Sequence, residues 1–333
     1  MKKKIKLRIL LLSVISPIVF ACLMKNDKKP DKLTSEIILP GKIAVSLNDT
    51  CFICNGNGFI TSKFKIKKED QIEYAYFTWL HKTDSFVGIE YVMYPAHKIL
   101  QGNIVSFDLS GNIIDRIYDS TGEIAGIPSL SANDSLLLFS STTRGDPGKD
   151  PFAGFNAKES IVIMDFKKKE IIRIIEGFSV ALEPLASAWV YGENRFLFSI
   201  SEDRQIIVGE DRVNRKSAYH PGVYIYDLAT NQKKLLIPDG HDAKCSPVDR
   251  RFIYIKGQSI YLGDFQDNLE KKIFTGETGN IPHINWSPDG KFVYLLCYDK
   301  NLHGVQEKLI DADTGKEIPF KKIGHGFHTY SWK

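Results

Sequence analysis

The chain has 333 residues, 43% hydrophobic and 25% charged, with 44 Lys and Arg against 40 Asp and Glu and a formal charge of +4. That balance excludes a disordered chain, a collagen-like fibre and a polytopic membrane protein, and five cysteines are too few for a disulfide scaffold. The length suits one large domain or two small ones. The +4 is unevenly placed. Lys2, Lys3, Lys4, Lys6 and Arg8 fall within residues 1–21 without an acid, so the rest of the chain holds 39 basic against 40 acidic side chains, a net −1. A nearly neutral body argues against a nucleic-acid partner.

Met1 to Arg8 reads as a charged n-region, and Ile9 to Ala21 as an apolar run of thirteen residues, shorter than the ~20 needed to span a bilayer. Val19-Phe20-Ala21-Cys22 resembles the lipobox of bacterial lipoproteins, with an aliphatic residue, a small one and the cysteine that receives the lipid. The resemblance implies a signal peptide over 1–21, lipidation (palmitate) of Cys22 and a polar, Lys-rich tether over 22–36. An ordinary signal peptide and a retained anchor helix are the competing readings. Leu23 after the cysteine, in place of an Asp, favours the outer membrane over the inner one.

From residue 37 to 333 the pattern is β throughout; no run of twelve residues shows helical spacing with caps. Lys42–Leu47, Cys51–Cys54 and Phe59–Ile66 read as three strands. Ile284 to Leu295 reads as strand, Ser287-Pro288-Asp289-Gly290 turn, strand. Weaker copies of this unit stand at Thr78–Val87, Ser131–Leu137, Tyr191–Leu197 and Ser246–Ile253. A second series alternates with it, a strand ending in Asp before a polar turn, at Asp108, Asp165, Asp227, Asp264 and Asp311. Its spacings of 57, 62, 37 and 47 average near the ~40–50 residues of a propeller blade.

The Trp286-Ser287-Pro288-Asp289-Gly290-Lys291 turn is similar to the repeat of TolB-like, WD40-like β-propellers, here of the Bacteroidota-like lipoprotein type. The resemblance implies a β-propeller over the whole mature chain. Its blade count follows from closure. Residues 326–333 read as one innermost strand with nothing after it, and the three strands of 42–66 lack an innermost partner. Pairing one with three completes a sixth blade and removes an open sheet edge; seven blades is the alternative.

Antiparallel strand order places the long connections after each second strand, and the blade-to-blade connections, on one face. Seven of the eight histidines fall there. His241, Asp242, His283, His325 and His328 are the candidate ligand-binding residues at the channel mouth, with Arg144 and Arg212 in two of the four long insertions that rim the face. No pair has metal-site spacing such as HxxxH, so no metal and no cofactor is expected; a divalent ion in the funnel is the alternative. Arg144–Asp150 lacks the spacing of a phosphate loop, and Asp311–Gly315 that of a calcium loop. Cys51 and Cys54, three apart on a strand, point to opposite faces, and Cys245 and Cys297 read as buried apolar residues. Many propellers with this repeat precede a serine peptidase domain, which needs a GxSxG elbow and ~200 further residues, neither of which is present. The expectation is a monomeric, non-catalytic binding module in the cell envelope that presents its loop-rich face to a protein, peptide or glycan. A lactonase- or lyase-like enzyme is the alternative.

Overall fold

The computed structural model describes residues 40–47, 50–55, 60–65, 72–93, 100–120, 123–143, 158–179, 187–200, 205–208, 211–214, 220–266, 270–276, 283–299, 304–320 and 330–333. The expected signal peptide, Cys22 and tether lie outside the described residues, as do Arg144, His325 and His328.

Among the described residues, twenty-five strands follow one another. Three come first, β1 (Lys42–Leu47), β2 (Thr50–Asn55) and β3 (Ile60–Lys65). Blade one is β4 (Ile72–Trp79), β5 (Phe86–Met93), β6 (Leu100–Phe107) and β7 (Ile113–Asp119). Blade two is β8 (Glu123–Leu130), β9 (Leu136–Thr143), β10 (Lys158–Asp165) and β11 (Glu170–Ser179). Blade three has β12 (Ser187–Trp189) and β13 (Arg195–Ile200). A separate hairpin of β14 (Gln205–Val208) and β15 (Asp211–Asn214) intervenes before β16 (Gly222–Asp227) and β17 (Gln232–Pro238) complete it. Blade four is β18 (Gly240–Cys245), β19 (Arg251–Lys256), β20 (Ser259–Asp264) and β21 (Glu270–Thr275). Blade five is β22 (His283–Trp286), β23 (Phe292–Asp299) and β24 (Gly304–Asp311), with its outer position held by an Ile310–Glu317 bridge and the Ile318 N–H donating to Leu309 O at 2.8 Å. The last strand, β25 (Tyr330–Trp332), pairs with β1 in the order β25-β1-β2-β3, so one C-terminal and three N-terminal strands close blade six.

Both turn series hold for the same local reason. In each first turn the N–H of the residue entering it donates to the carbonyl five residues on: Leu80 to Ser85, Ser131 to Leu136, Val190 to Arg195, Ser246 to Arg251 and Ser287 to Phe292, at 2.8–3.0 Å. Ser131 and Ser287 add their hydroxyl oxygens as acceptors for the N–H groups that re-enter the strand. In each second turn the strand-ending Asp accepts backbone N–H bonds: Asp108 from Ser110 and Asn112, Asp165 from Lys167 and Lys168, Asp227 from Ala229 and Thr230, Asp264 from Gln266, Asp311 from Thr314. These carboxylates do a turn's work.

The core is six clusters, one between each adjacent pair of blades. Leu138, Ile161 and Ile163 meet Trp189, Phe196 and Phe198 between blades two and three; Ile253, Ile255 and Ile260 meet Ile284, Trp286 and Val293 between four and five. Equivalent clusters fill the one–two and three–four junctions. Ile43 of β1 packs on Tyr294 and Leu309, whereas Ala44, Cys51 and Ile53 pack on Phe77, Trp79 and Phe86. Consecutive residues of β1 thus face different blades, as the period of two requires, and the sheet is sealed on both sides. At roughly 1.5–3 kcal/mol per fully buried large side chain, these junctions are the main source of stability.

The cysteines sit as the strand period requires. Cys51 belongs to the blade six–one core and its thiol is raised by burial and by Cys54, while that of Cys54 is raised by burial and by Glu307 of blade five. Cys51, Cys54, Cys245 and Cys297 are free thiols; burial pushes Cys51 up to about 12.

Candidate functional site

All four tryptophans of the chain occupy one structural position, the last residue of an innermost strand: Trp79 in β4, Trp189 in β12, Trp286 in β22 and Trp332 in β25. Leu130 in β8 and Cys245 in β18 hold the other two. Three of the indoles donate to the preceding blade, Trp79 Nε1 to Ser331 O at 3.1 Å, Trp189 Nε1 to Ser129 O at 3.1 Å and Trp286 Nε1 to Lys244 O at 3.0 Å. Cys245 Sγ approaches Ala188 O at 3.7 Å in the same sense, and Trp332 Nε1 instead reaches Pro40 O at 2.7 Å. Trp79, Trp189 and Trp286 are buried, so their rings staple blades and are not free stacking surfaces.

The residue before each of these faces the following blade. Thr78 Oγ1 donates to Pro128 O of blade two at 2.6 Å, and Ser331 Oγ accepts from Trp79 N of blade one at 3.0 Å. The six occupants of this position are Thr78, Ser129, Ala188, Lys244, Asn285 and Ser331.

These strand ends enclose an axial cavity of about 300 Å³, at the lower end of the ~300–1,000 Å³ range of small-molecule sites. Its rim carries His81, Ala132, Tyr191, Pro247 and Pro288 from the first-turn series, so it lies toward the turn face, opposite the long connections. Inter-blade bonds brace that face. Lys42 pairs with Asp84 at 3.3 Å, Asp134 accepts the N–H groups of His81 and Lys82 at 2.9 and 2.8 Å, and Arg250 pairs with Glu193 at 3.0 Å. Arg251 reaches Asp313 and Gly290 O, both at 2.7 Å. The basic residues that line the cavity are His81, Lys244, His283 and Lys333; none of the described lining residues is an Asp or Glu.

His241 and Asp242 lie inside β18, and His283 opens β22. All three stand on innermost strands, where the sequence reading put them in blade-to-blade connections; the strands start earlier because β18 pairs with β19 from Gly240 onward. A register shift between His241 and Lys244 accompanies a left-handed Asp242, φ 51°, and Tyr76, φ 57°, repeats the device in β4. His241 Nδ1 and Asp242 Oδ2 are 2.8 Å apart. Burial pushes the Asp242 carboxyl up, but the His241 hydrogen bond and the charges of His241, Lys244 and His283 outweigh it and hold it below the ordinary range. His283 is driven down to about 4 by burial and by Lys244, against the pull of Asp242. Burial also lowers the Lys244 ammonium, opposed by Asp242.

The structure therefore brings together His241, Asp242 and His283 of the expected set. Arg212 falls in the β14–β15 hairpin, away from the innermost strands in chain order. Among the described residues, no three His, Cys, Asp or Glu side chains converge to hold a metal ion. Sequence reasoning missed Lys244. Setting Lys244-Cys245-Ser246-Pro247 under Asn285-Trp286-Ser287-Pro288 was the signal that would have found it.

The fold and the axial site define a six-bladed β-propeller. The chain is similar in structure to an acylaminoacyl peptidase in complex with Z-Gly-Gly-Phe-chloromethyl ketone, with TM-score 0.54, 13% identity, 87% of this chain covered and 46% of that one. It is also similar to the Pyrococcus horikoshii acylaminoacyl peptidase, with TM-score 0.53, 13% identity and coverage of 82% and 41%. The matches span less than half the length of either peptidase, and identity this low speaks for the fold alone. No protein-family model matches the chain, and no curated protein matches it in sequence.

Proposed function

We propose that the chain is a non-catalytic binding module of the cell envelope, lipid-tethered to the outer membrane through Cys22, that engages an envelope protein, peptide or glycan at the turn-face end of its axis. The axial cavity carries this reading. All six innermost strands contribute to it, its rim is braced by bonds between blades, and its wall mixes polar groups such as Ser129, Lys244, Asn285 and Ser331 with apolar ones in about equal measure. The tether is supported by the charged leader, the apolar run and Val19-Phe20-Ala21-Cys22; each buried CH₂ of an acyl chain adds about 0.8 kcal/mol of membrane affinity.

Two measurements test the two halves of the reading. In detergent phase partitioning, the wild-type chain enters the detergent phase and Cys22→Ser the aqueous phase; equal partitioning would sink the tether. A photo-crosslinking residue in place of Tyr191, exposed on the rim, captures a discrete envelope partner, whereas one in place of Ile60, exposed on β3, does not. Identical outcomes at the two positions would overturn the turn-face site.

A further inference from the structure

Six blades supply six residues to the position that precedes the strand-end staple, and five of them, Thr78, Ser129, Ala188, Asn285 and Ser331, carry no charge. The sixth is Lys244. Stapling does not require a lysine there, since Trp286 uses only its backbone carbonyl. Among the described residues, no hydrogen bond or salt bridge to the Lys244 ammonium is seen, and burial lowers it against the opposing charge of Asp242. The cavity it lines holds a second lysine and two histidines and no described Asp or Glu. A buried ammonium whose charge Asp242 offsets only in part, beside a described lining without acids, is a receptor for an anion.

We infer that Lys244 makes the axial cavity a site for a small organic monocarboxylate, with the carboxylate on the ammonium and an apolar body against Phe77, Ile127 and Pro128. One negative charge fits better than two. His283 is neutral at pH 7, and Asp242, ionised nearby, offsets part of the field of Lys244, which leaves too little positive potential for a phosphate dianion. The volume limits the ligand to a few chemical groups.

The inference deepens the binding-module reading and rests on it. Its test uses the full chain in detergent solution, phenylacetate and N-acetylphenylalanine as probes, their methyl esters and inorganic phosphate as controls, and calorimetry. The acids bind, and the esters and phosphate bind at least about tenfold more weakly. Lys244→Met loses at least about tenfold in affinity for the acids while its Tm rises by about 2–4 °C, because a desolvated charge is removed. Should that variant fail to fold, Lys244→Gln takes its place. Equal binding of acid and ester, tighter binding of phosphate, unchanged affinity on loss of the lysine, or no binding of either acid at millimolar concentration would each overturn the assignment. Rim crosslinks without carboxylate binding would remove the ligand class alone, and carboxylate binding without rim crosslinks the macromolecular partner alone.

Discussion

His283 and Glu90 illustrate how one position in a blade decides what an ionisable side chain does. The imidazole of His283 has an ordinary value of 6.5 and stands at about 4 when folded, so between those two values the unfolded chain binds a proton that the folded one does not. Stability therefore falls as pH drops from about 6.5 to about 4, and this contribution is flat below that. Partial exposure of the His283 residue reduces the full linkage, leaving about 1–2 kcal/mol. We expect His283→Gln to flatten the pH dependence of denaturant midpoints between pH 7 and pH 5; an unchanged slope would remove the buried neutral imidazole from the account. Glu90, 1% exposed, titrates lower. Burial raises its carboxyl, but bonds from Arg116 at 2.7 and 3.0 Å, Asn103 at 3.0 Å and Tyr74 at 3.0 Å outweigh that and hold it down. Its stabilisation is present above the ordinary carboxylate range and is lost only as pH falls through the lowered value, so at pH 5 the histidine acts alone.

At the scale of the element, turns and staples are coupled between blades. Arg251 donates to Gly290 O and Asp313 and lies 5.4 Å from the Trp286 ring centroid, joining the first turn of blade four to both turns of blade five. Gly290 has φ 66°, and a Cβ there would come within 2.4 Å of Val248, so the Asp289-Gly290 turn is fixed by its neighbour as well as by its own chemistry. The turn was legible in the sequence because glycine and serine report local geometry. The indole bonds were not, because their acceptors lie 42 to 292 residues away. Trp286→Phe removes the donor to Lys244 O and leaves that carbonyl inside the blade four–five junction. We expect a loss of about 1–3 kcal/mol in chemical denaturation, with the secondary-structure signal retained. A loss within ±0.5 kcal/mol, the range of a surface change, would show that the staple contributes nothing.

For the molecule as a whole, closure is the decisive contact. β25 pairs with β1 through Ile43–Trp332, Ala44–Ser331 and Val45–Tyr330, and the Lys333 N–H donates to Lys42 O at 2.9 Å. Deleting residues 330–333 would uncover the inner edge of β1 and remove the Ser331 acceptor of Trp79. Scattering and unfolding measurements should then show concentration-dependent association and a Tm lowered by several degrees; a monomer with wild-type Tm would mean that the remaining junctions close the ring unaided. The sequence alone determined the all-β class, both turn series and the six-blade closure, because strand alternation and turn chemistry are local signals that repeat. Only the tertiary structure decided that Lys244, His283 and Asn285 share one axial cavity and that the tryptophans staple blades. Those relations depend on a ring that brings residues far apart in the chain to one axis, and on a bulge that resets which way β18 presents its side chains.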